Sequence, residues 1–262
     1  MTDSEFLPAE GDLVLRDDQA EFFAILDEAR KRRERGDRLR LIDSGRVSVL
    51  DLEQLCLAGV NAFTSDKAGR GLADWVVLSA AAEKGSGLVA HFHYGPLLSN
   101  PPAGVLSLDD LREGARLGIC LYLSNKTETR SPEHLISLAE AAREGRRRPG
   151  YYFHGMPEPW LLELARRGTW IHVSPDPQIP DSAMLLLTEA TAEAAAAGAG
   201  LVVHVEQPIS EAAFNDLWAA GAYVLFRTPP SDYRSPFRTM EEKAAQRVPD
   251  AESSYLYTEF MR

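Results

Sequence analysis

The stretch GLVAHFHY (residues 87–94) contains the pattern that decides the fold of this chain. A glycine precedes a short apolar run, and the run closes on polar residues. Runs of this form recur along the chain, and helical spacing follows most of them, so each run predicts one β-strand. The eight runs are LRLIDS (39–44), VNAFTSD (60–66), LVAHFHY (88–94), ICLYLSN (119–125), YYFHG (151–155), WIHVSP (170–175), LVVHVEQ (201–207) and YVLFRTP (223–229).

Strands that alternate with helices form parallel sheets joined by right-handed crossovers. Eight such units in a chain of 262 residues predict an α/β protein with a single (β/α)₈ TIM-type barrel. We expect the barrel at residues 38–229, after an N-terminal extension (1–37) whose helix covers the barrel bottom. Residues 230–262 would form a C-terminal tail that packs on the barrel or on a partner subunit. An open doubly wound sheet is the alternative.

Charge and cysteine usage exclude several classes of function. The net charge is −11 and the pI is about 5.1, so the surface repels nucleic acid and anionic lipid. Cys56 and Cys120 lie inside apolar stretches and form no CxxC motif, which is typical of the reducing cytoplasm. The acidic N-terminus lacks the pattern of an export signal, and no apolar stretch is long enough to cross a membrane. The sequence predicts a cytoplasmic protein with a small-molecule substrate.

Side chains alternate across a strand, and this alternation divides the runs into two faces. In the third run, Ala90 and Phe92 share one face while His91 and His93 share the other. We expect the apolar faces to pack on helices, so that the polar faces line the barrel interior at the C-terminal ends of the strands, where barrel enzymes bind substrates. His134 falls in a helix and is excluded. The predicted interior residues are Asp43, Thr64, Asp66, His91, His93, Tyr122, Ser124, Tyr152, His154, His172, His204, Glu206 and Arg227.

Two histidines at positions i and i+2 of one strand face can bind the same metal ion. We predict His91, His93, His154 and His172 as ligands of a divalent ion, with zinc favoured over manganese, iron and nickel. Such an ion activates water, which predicts a hydrolase. The predicted catalytic residues are His204, Glu206, Asp43, Asp66, Arg227 and Tyr122, with Arg227 as an anchor for an anionic substrate group.

The HxH pair and the histidines of the fifth and sixth runs loosely resemble the metal-dependent amidohydrolase barrels. In that family the pair lies on the first strand, a metal-bridging lysine on the fourth and an aspartate on the eighth. Here the pair lies on the third run, Lys126 follows the fourth run, and Arg227 stands at the eighth. The resemblance implies metal-dependent hydrolysis, but these departures leave the chain outside a family assignment.

Two other functions fit the same residues. A lyase, isomerase or aldolase without a metal would use His204 and Glu206 as acid and base, with Arg227 holding the substrate. A barrel that binds a ligand without turnover is a further alternative, because fold alone does not establish catalysis. A homo-oligomer formed through the C-terminal tail is also an expectation.

Overall fold

The computed structural model of the chain describes residues 13–126, 128, 130–174, 180–205, 209–226, 240 and 243–247. Strands and helices alternate along these residues. The strands are β1 (Leu13–Arg16), β2 (Leu39–Ile42), β3 (Asn61–Ser65), β4 (Val89–His93), β5 (Cys120–Ser124), β6 (Gly150–Phe153), β7 (Trp170–Val173), β8 (Leu201–Val205) and β9 (Tyr223–Phe226). The helices are α1 (Phe22–Arg35), α2 (Val49–Leu57), α3 (Leu72–Gly85), α4 (Leu108–Arg116), α5 (Pro132–Glu144), α6 (Leu161–Arg166), α7 (Asp181–Ala196) and α8 (Glu211–Ala220), and a 3₁₀ turn (Asp66–Ala68) follows β3.

The strands run parallel, and their order in the sheet follows the chain from β1 to β9. A doubly wound sheet reverses its strand order at a switch point, so the alternative of an open doubly wound sheet is wrong. The predicted α/β class, with the strand order and strand direction of a (β/α)₈ barrel, is confirmed. Each of the eight predicted runs contains one strand, from β2 to β9.

The first strand corrects the predicted start of the barrel. β1 pairs in parallel with β2, with Leu13 opposite Leu39, and α1 connects the two strands. Residues 13–37 are therefore a regular β/α unit of the sheet, whereas the sequence predicts an extension outside the barrel. The pairing of β1 with β2 is a tertiary contact, which the period of a single apolar run does not reveal.

Three helices, α2, α4 and α8, begin where a serine hydroxyl satisfies a free N–H group of the first turn. Ser210 Oγ accepts a hydrogen bond of 3.1 Å from Ala213 N at the start of α8. Ser48 and Ser107 do the same for α2 and α4. α5 begins at Pro132, directly after Ser131, as the sequence predicts.

The chain divides into two compact units. The first consists of Met1–Leu123 with Glu140–Arg147, and the second of Ser124–Ala139 with Arg148–Arg262. In the first unit, Leu52 and Leu55 of α2 and Leu78 of α3 are fully buried. Burial of each such side chain stabilises the fold by about 1.5–3 kcal/mol.

The described part of the C-terminal tail packs on α8 within the second unit. The Arg247 guanidinium lies 4.0 Å from the centroid of the Trp218 ring and donates to the carbonyl oxygens of Trp218 and Ala222. Lys243 Nζ donates to Asn215 Oδ1 at 3.1 Å. Tail contacts with a partner subunit remain a prediction. Within the described part of the chain, no helix combines the length and the apolar character needed to cross a bilayer.

Candidate functional site

Three aspartates follow successive strands of the first unit, and we call Asp17, Asp43 and Asp66 the strand-end carboxylates. Each binds groups in the loop that follows the next strand. Asp17 comes directly after β1 and accepts hydrogen bonds from the backbone N–H groups of Ser44, Arg46 and Val47, which lie after β2. The Asp17 carboxylate therefore fixes the loop between β2 and α2.

Asp43, a predicted catalytic carboxylate, lies in a buried ion pair. Arg70 donates to both of its oxygens, with Nε to Oδ2 at 2.8 Å and Nη2 to Oδ1 at 2.7 Å. Arg70 Nη2 also donates to the carbonyl oxygen of Val47, and Gly45 N donates to Asp43 Oδ1. This bidentate pair uses both carboxylate oxygens to hold the loops together, so a catalytic role for Asp43 stays a prediction.

Asp66 brings the two histidines of β4 onto a single oxygen atom. His91 Nε2 and His93 Nδ1 each lie 3.0 Å from Asp66 Oδ1. Asp66 Oδ2 accepts from Tyr94 N at 2.7 Å and from Gly95 N at 3.1 Å. His91 and His93 are buried, whereas the Asp66 side chain is 28% exposed, so solvent reaches the cluster from the carboxylate side.

The hydrogen bonds keep the Asp66 carboxylate ionised. Burial works to raise the pKa of Asp66, but the hydrogen bonds from His91 and His93 outweigh burial and hold that pKa well below its usual range. Burial lowers the pKa of His91, against the opposing effect of Asp66. The site therefore favours an anionic Asp66 beside a neutral His91 imidazole.

The orientation of β4 differs from the prediction. The His91 ring makes an edge contact with the ring of Trp75 on α3, with centroids 4.6 Å apart, so His91 faces the helix layer. Phe92 pairs with Tyr122 across β4 and β5, and their rings stack at 5.5 Å on the opposite face. The prediction that His91 and His93 line the barrel interior is therefore wrong, and a buried tryptophan on the helix is the physical reason.

The Asp66 cluster has the composition of a metal site. Among the described residues, Asp66, His91 and His93 form the group whose ligand atoms all lie within 4.8 Å of one another. Zinc binds imidazole nitrogen and carboxylate oxygen at about 2.0–2.2 Å, which places tetrahedral ligand atoms roughly 3.3 Å apart. The observed N···O distances of 3.0 Å are close to that value. These two distances are therefore compatible with a divalent ion held by all three side chains.

The second unit contains a pair of hydrogen-bonded histidines. His172 Nδ1 and His204 Nε2 lie 2.9 Å apart, and their rings stack with centroids 5.2 Å apart. The Tyr152 ring stacks on His172 at 4.2 Å, and all three side chains are fully buried. Since one hydrogen bond joins two imidazoles, one nitrogen donates while the other accepts, and the pair cannot be doubly protonated without breaking it.

This pair lies on the strand face opposite the helices, as predicted. Val205 pairs with Phe226 across β8 and β9, and Phe226 contacts Phe214 of α8. Val205 therefore faces the helix layer, and the alternation along β8 turns His204 the other way. His172 was predicted as a metal ligand, and the structure instead pairs it with His204.

The remaining predicted residues have different surroundings. Tyr122 is buried and stacks on Phe92. The backbone of His154 exchanges two hydrogen bonds with the Asn125 side chain, and its predicted role as a metal ligand stays a prediction. His134 lies in the first turn of α5, as expected. Glu206 and Arg227 lie outside the described residues.

Trp75 and Arg70 were missed in the sequence. Trp75 belongs to the apolar stripe of α3 together with Leu78 and Ala82, and such a stripe identifies a helix face that packs on the sheet. From that stripe, a contact between the Trp75 ring and the sheet could have been predicted. No comparable signal existed for the pairing of Arg70 with Asp43, which depends on loop geometry.

No family model matches the chain, and no curated protein matches it. Solved structures that resemble it include the 3-dehydroquinate dehydratase of Aquifex aeolicus VF5, at 12% identity over 96% of this chain and 98% of that one, with a TM-score of 0.33. The tryptophan synthase A-subunit of Pyrococcus furiosus matches at 16% identity over 89% and 96%, with a TM-score of 0.34. The deoxyribose phosphate aldolase of Aeropyrum pernix matches at 10% identity over 96% and 90%, with a TM-score of 0.32. Similarity at this level carries no conclusion about activity.

Proposed function

We propose that the chain is a divalent-metal-dependent hydrolase of a small molecule, and that Asp66, His91 and His93 hold the ion. The observation that carries the proposal is the meeting of two imidazole nitrogens on one carboxylate oxygen, each at 3.0 Å. Two imidazoles and one carboxylate form a donor set that suits zinc, manganese, iron and nickel. This set replaces the predicted four-histidine set, because His172 is paired with His204.

A bound ion would lower the pKa of a coordinated water and polarise a substrate carbonyl or phosphoryl oxygen. The protein's own contribution is to orient the ligands. The backbone N–H groups of Tyr94 and Gly95 hold Asp66 Oδ2, so the Oδ1 atom keeps its direction towards the histidines. Solvent reaches Asp66 from its exposed side, and we place the substrate there.

An anionic substrate fits the charges on that side. Lys67 is exposed and follows Asp66 directly in the chain. Its Nζ atom lies 5.3 Å from the centroid of the Tyr94 ring, a cation–π contact that holds the ammonium near the cluster. A carboxylate or phosphate group of a substrate would meet this cation.

Metal content is the direct test. We expect the purified protein to contain about one zinc, manganese, iron or nickel ion per chain by plasma mass spectrometry, to lose it on chelation and to regain it on addition of the same metal. The double variant His91→Ala, His93→Ala should lose the ion, while His134→Ala, outside the cluster, should keep it. A protein that takes up no metal under any of these conditions would contradict the proposal.

Hydrolysis is tested on a panel of ester, amide and phosphoester substrates. We expect at least one to be hydrolysed by the metal-loaded protein, with activity lost on chelation and restored by metal. Asp66→Asn should lower kcat by about 10²-fold or more, since removal of the charged ligand weakens a metal-bound nucleophile. Activity that survives complete metal removal would refute metal dependence.

A metal-independent acid–base enzyme is the second candidate, favoured by the His172–His204 pair. The imidazoles are hydrogen-bonded at 2.9 Å on the face opposite the helices, where a substrate inside a barrel would lie. In that case His204→Ala should abolish turnover while the double variant of His91 and His93 retains it. The opposite result favours the hydrolase. Cytoplasmic location and a homo-oligomer formed through the tail remain predictions.

A further inference from the structure

Three buried polar atoms, one of them in the His91 ring itself, belong to neighbouring side chains on the helix side of β4. They are Thr64 Oγ1, Trp75 Nε1 and His91 Nδ1, and the structure gives none of them a hydrogen-bond partner within the described part of the chain. Thr64 is 1% exposed, and Trp75 and His91 are fully buried. Native proteins leave few buried polar groups without a partner, so three in one place require an explanation.

The three side chains are neighbours. Thr64 and His91 are opposite each other in the β3–β4 register, and adjacent strands are about 4.8 Å apart. Both therefore project from the same face of the sheet. The centroids of the Trp75 and His91 rings lie 4.6 Å apart. Thr64 and Trp75 are therefore side chains that lie next to the His91 ring.

The donors and acceptors are complementary to water. His91 Nε2 lies 3.0 Å from Asp66 Oδ1 and donates to this carboxylate oxygen, so in this tautomer Nδ1 is an acceptor. Trp75 Nε1 is a donor, and the Thr64 hydroxyl can do either. A water molecule accepts from Trp75, donates to His91 and forms its third hydrogen bond with Thr64, which matches the usual number for a buried water.

We propose that a buried water molecule binds between Thr64, Trp75 and His91. The site needs no metal and stands apart from the proposed hydrolase activity. All three side chains, and the two strands and one helix that carry them, belong to the first unit.

The water also has a consequence for metal binding, and this part rests on the proposed function. When Nε2 of His91 binds an ion, the ring must carry its proton on Nδ1, which changes from acceptor to donor. A water molecule can reorient, accept from Nδ1 and donate to Thr64, while Trp75 continues to donate to it. His91 can therefore change tautomer while it stays neutral and in place, which no carboxylate or carbonyl partner at Nδ1 would allow.

The first test measures thermal unfolding of the metal-free protein after chelation. Thr64→Val replaces the hydroxyl by a methyl group of similar size. If the hydroxyl binds the water, we expect Tm to fall by about 2–4 °C, the usual effect of one lost hydrogen bond in a chain of this size. If the hydroxyl is unsatisfied, the same change removes a buried polar group at no loss, and Tm stays constant or rises. A Tm that stays constant or rises in Thr64→Val would overturn the proposal.

A matched control is available in the second unit. The buried Thr191 Oγ1 donates to the Leu187 carbonyl oxygen at 2.8 Å, so Thr191→Val gives the effect of losing a hydroxyl whose partner is known. We expect Thr64→Val to resemble this control in the sign of its Tm shift.

A crystal structure of the metal-free protein at better than about 1.5 Å provides the second test, and it does not depend on any variant folding. Density for a water within about 2.7–3.2 Å of His91 Nδ1 and of Thr64 Oγ1 or Trp75 Nε1 would support the proposal. Closely packed side chains with no water there would overturn it. A protein with this water and no affinity for metal would keep the present inference and refute the hydrolase, so the two failures are distinguishable.

Discussion

An aspartate at the end of a strand can act in catalysis or can fix the next loop, and its hydrogen-bond partners distinguish the two. Asp17 and Asp43 use their oxygens for backbone N–H groups and for Arg70, and both are buried. Asp66 is the partly exposed member of the strand-end carboxylates and the one that contacts histidines. At the scale of residues, Asp66 is therefore the candidate for chemistry, while Asp17 and Asp43 are candidates for stability.

Removal of one partner from the buried Asp43–Arg70 ion pair should cause a large loss of stability. Arg70→Met leaves Asp43 buried without its partner, and we expect the free energy of unfolding to fall by about 3–5 kcal/mol in urea titrations. The double variant Asp43→Asn, Arg70→Met removes the buried charge and should recover most of that loss. A single variant as stable as the wild type would show that the pair is not buried in solution.

The lowered pKa of Asp17 predicts that the free energy of unfolding depends on pH in the acidic range. Burial opposes its ionisation, but hydrogen bonds from Ser44, Val47 and Arg46 lower the pKa of Asp17 below the unfolded value. A depressed pKa gives stability that is present above the unfolded pKa of about 3.9 and is lost as the pH falls through the folded value. Asp17→Asn should cost about 1–3 kcal/mol at pH 7 in denaturant unfolding, because an amide cannot satisfy three N–H donors as a carboxylate does. The difference from the wild type should narrow below about pH 4, and a constant difference from pH 7 to pH 3 would contradict the assignment.

At the scale of elements, alternation along β4 was predicted correctly, but its direction was not. The sequence shows that Ala90 and Phe92 oppose His91 and His93, and the structure keeps this division. The direction was inferred from the rule that apolar side chains face helices. Phe92 instead stacks on Tyr122, and Trp75 covers His91. These contacts depend on the register between strands and on helix packing, which a single strand does not encode.

The same rule succeeded for β8 because its apolar side chains contact large helix residues. Val203 and Val205 share a face with Val224 and Phe226, and Phe226 contacts α8 through Phe214. Here the apolar face meets the helix layer, so His204 was placed on the correct side.

The close contact between α3 and α4 predicts that one added methyl group, at Gly114, lowers stability. A Cβ atom on Gly114 of α4 would lie 2.3 Å from Trp75 Cε3, so Gly114→Ala forces the Trp75 ring to move. Alanine favours helices over glycine by about 1 kcal/mol, yet we expect a net loss of about 1–3 kcal/mol in unfolding experiments because overpacking dominates. Glu113→Ala, an exposed neighbour on α4, should change stability by less than about 0.5 kcal/mol. A stabilised Gly114→Ala variant would show that α3 and α4 are more loosely packed.

At the scale of the whole molecule, the repeated strand and helix pattern was enough to predict the α/β class and the order of β2 to β9. Their apolar runs end on polar residues and alternate with helical segments, so the period is visible in the sequence. β1 was placed outside the barrel because its pairing with β2 is a tertiary contact, which the apolar run alone does not reveal. The residue types of the candidate site were predictable, but the contacts of His91 and His93 with Asp66, and of His172 with His204, were not.

Both cysteines report on global unfolding. Cys56 is fully buried and Cys120 is 7% exposed, and burial raises the pKa of the Cys56 thiol to about 12. We expect neither thiol of the native protein to react with a colourimetric thiol reagent at pH 8 within minutes, and both to react in denaturant. Leu57→Cys, at a half-buried position beside Cys56, should supply a reactive control. Rapid labelling of the native wild type would indicate local opening around α2 or β5.

The strand-end carboxylates also bear on how this scaffold can be redesigned. A loop can be exchanged on its own only if its shape does not depend on residues elsewhere in the chain. Here Asp17 holds the loop at 44–47, and Asp66 holds the backbone at 94 and 95, so each loop depends on the carboxylate that follows the previous strand of the sheet. A graft at 44–47 would retain its shape if the new sequence kept free backbone N–H groups for Asp17, and proline there would break the coupling. Loops in this unit are best exchanged as consecutive pairs.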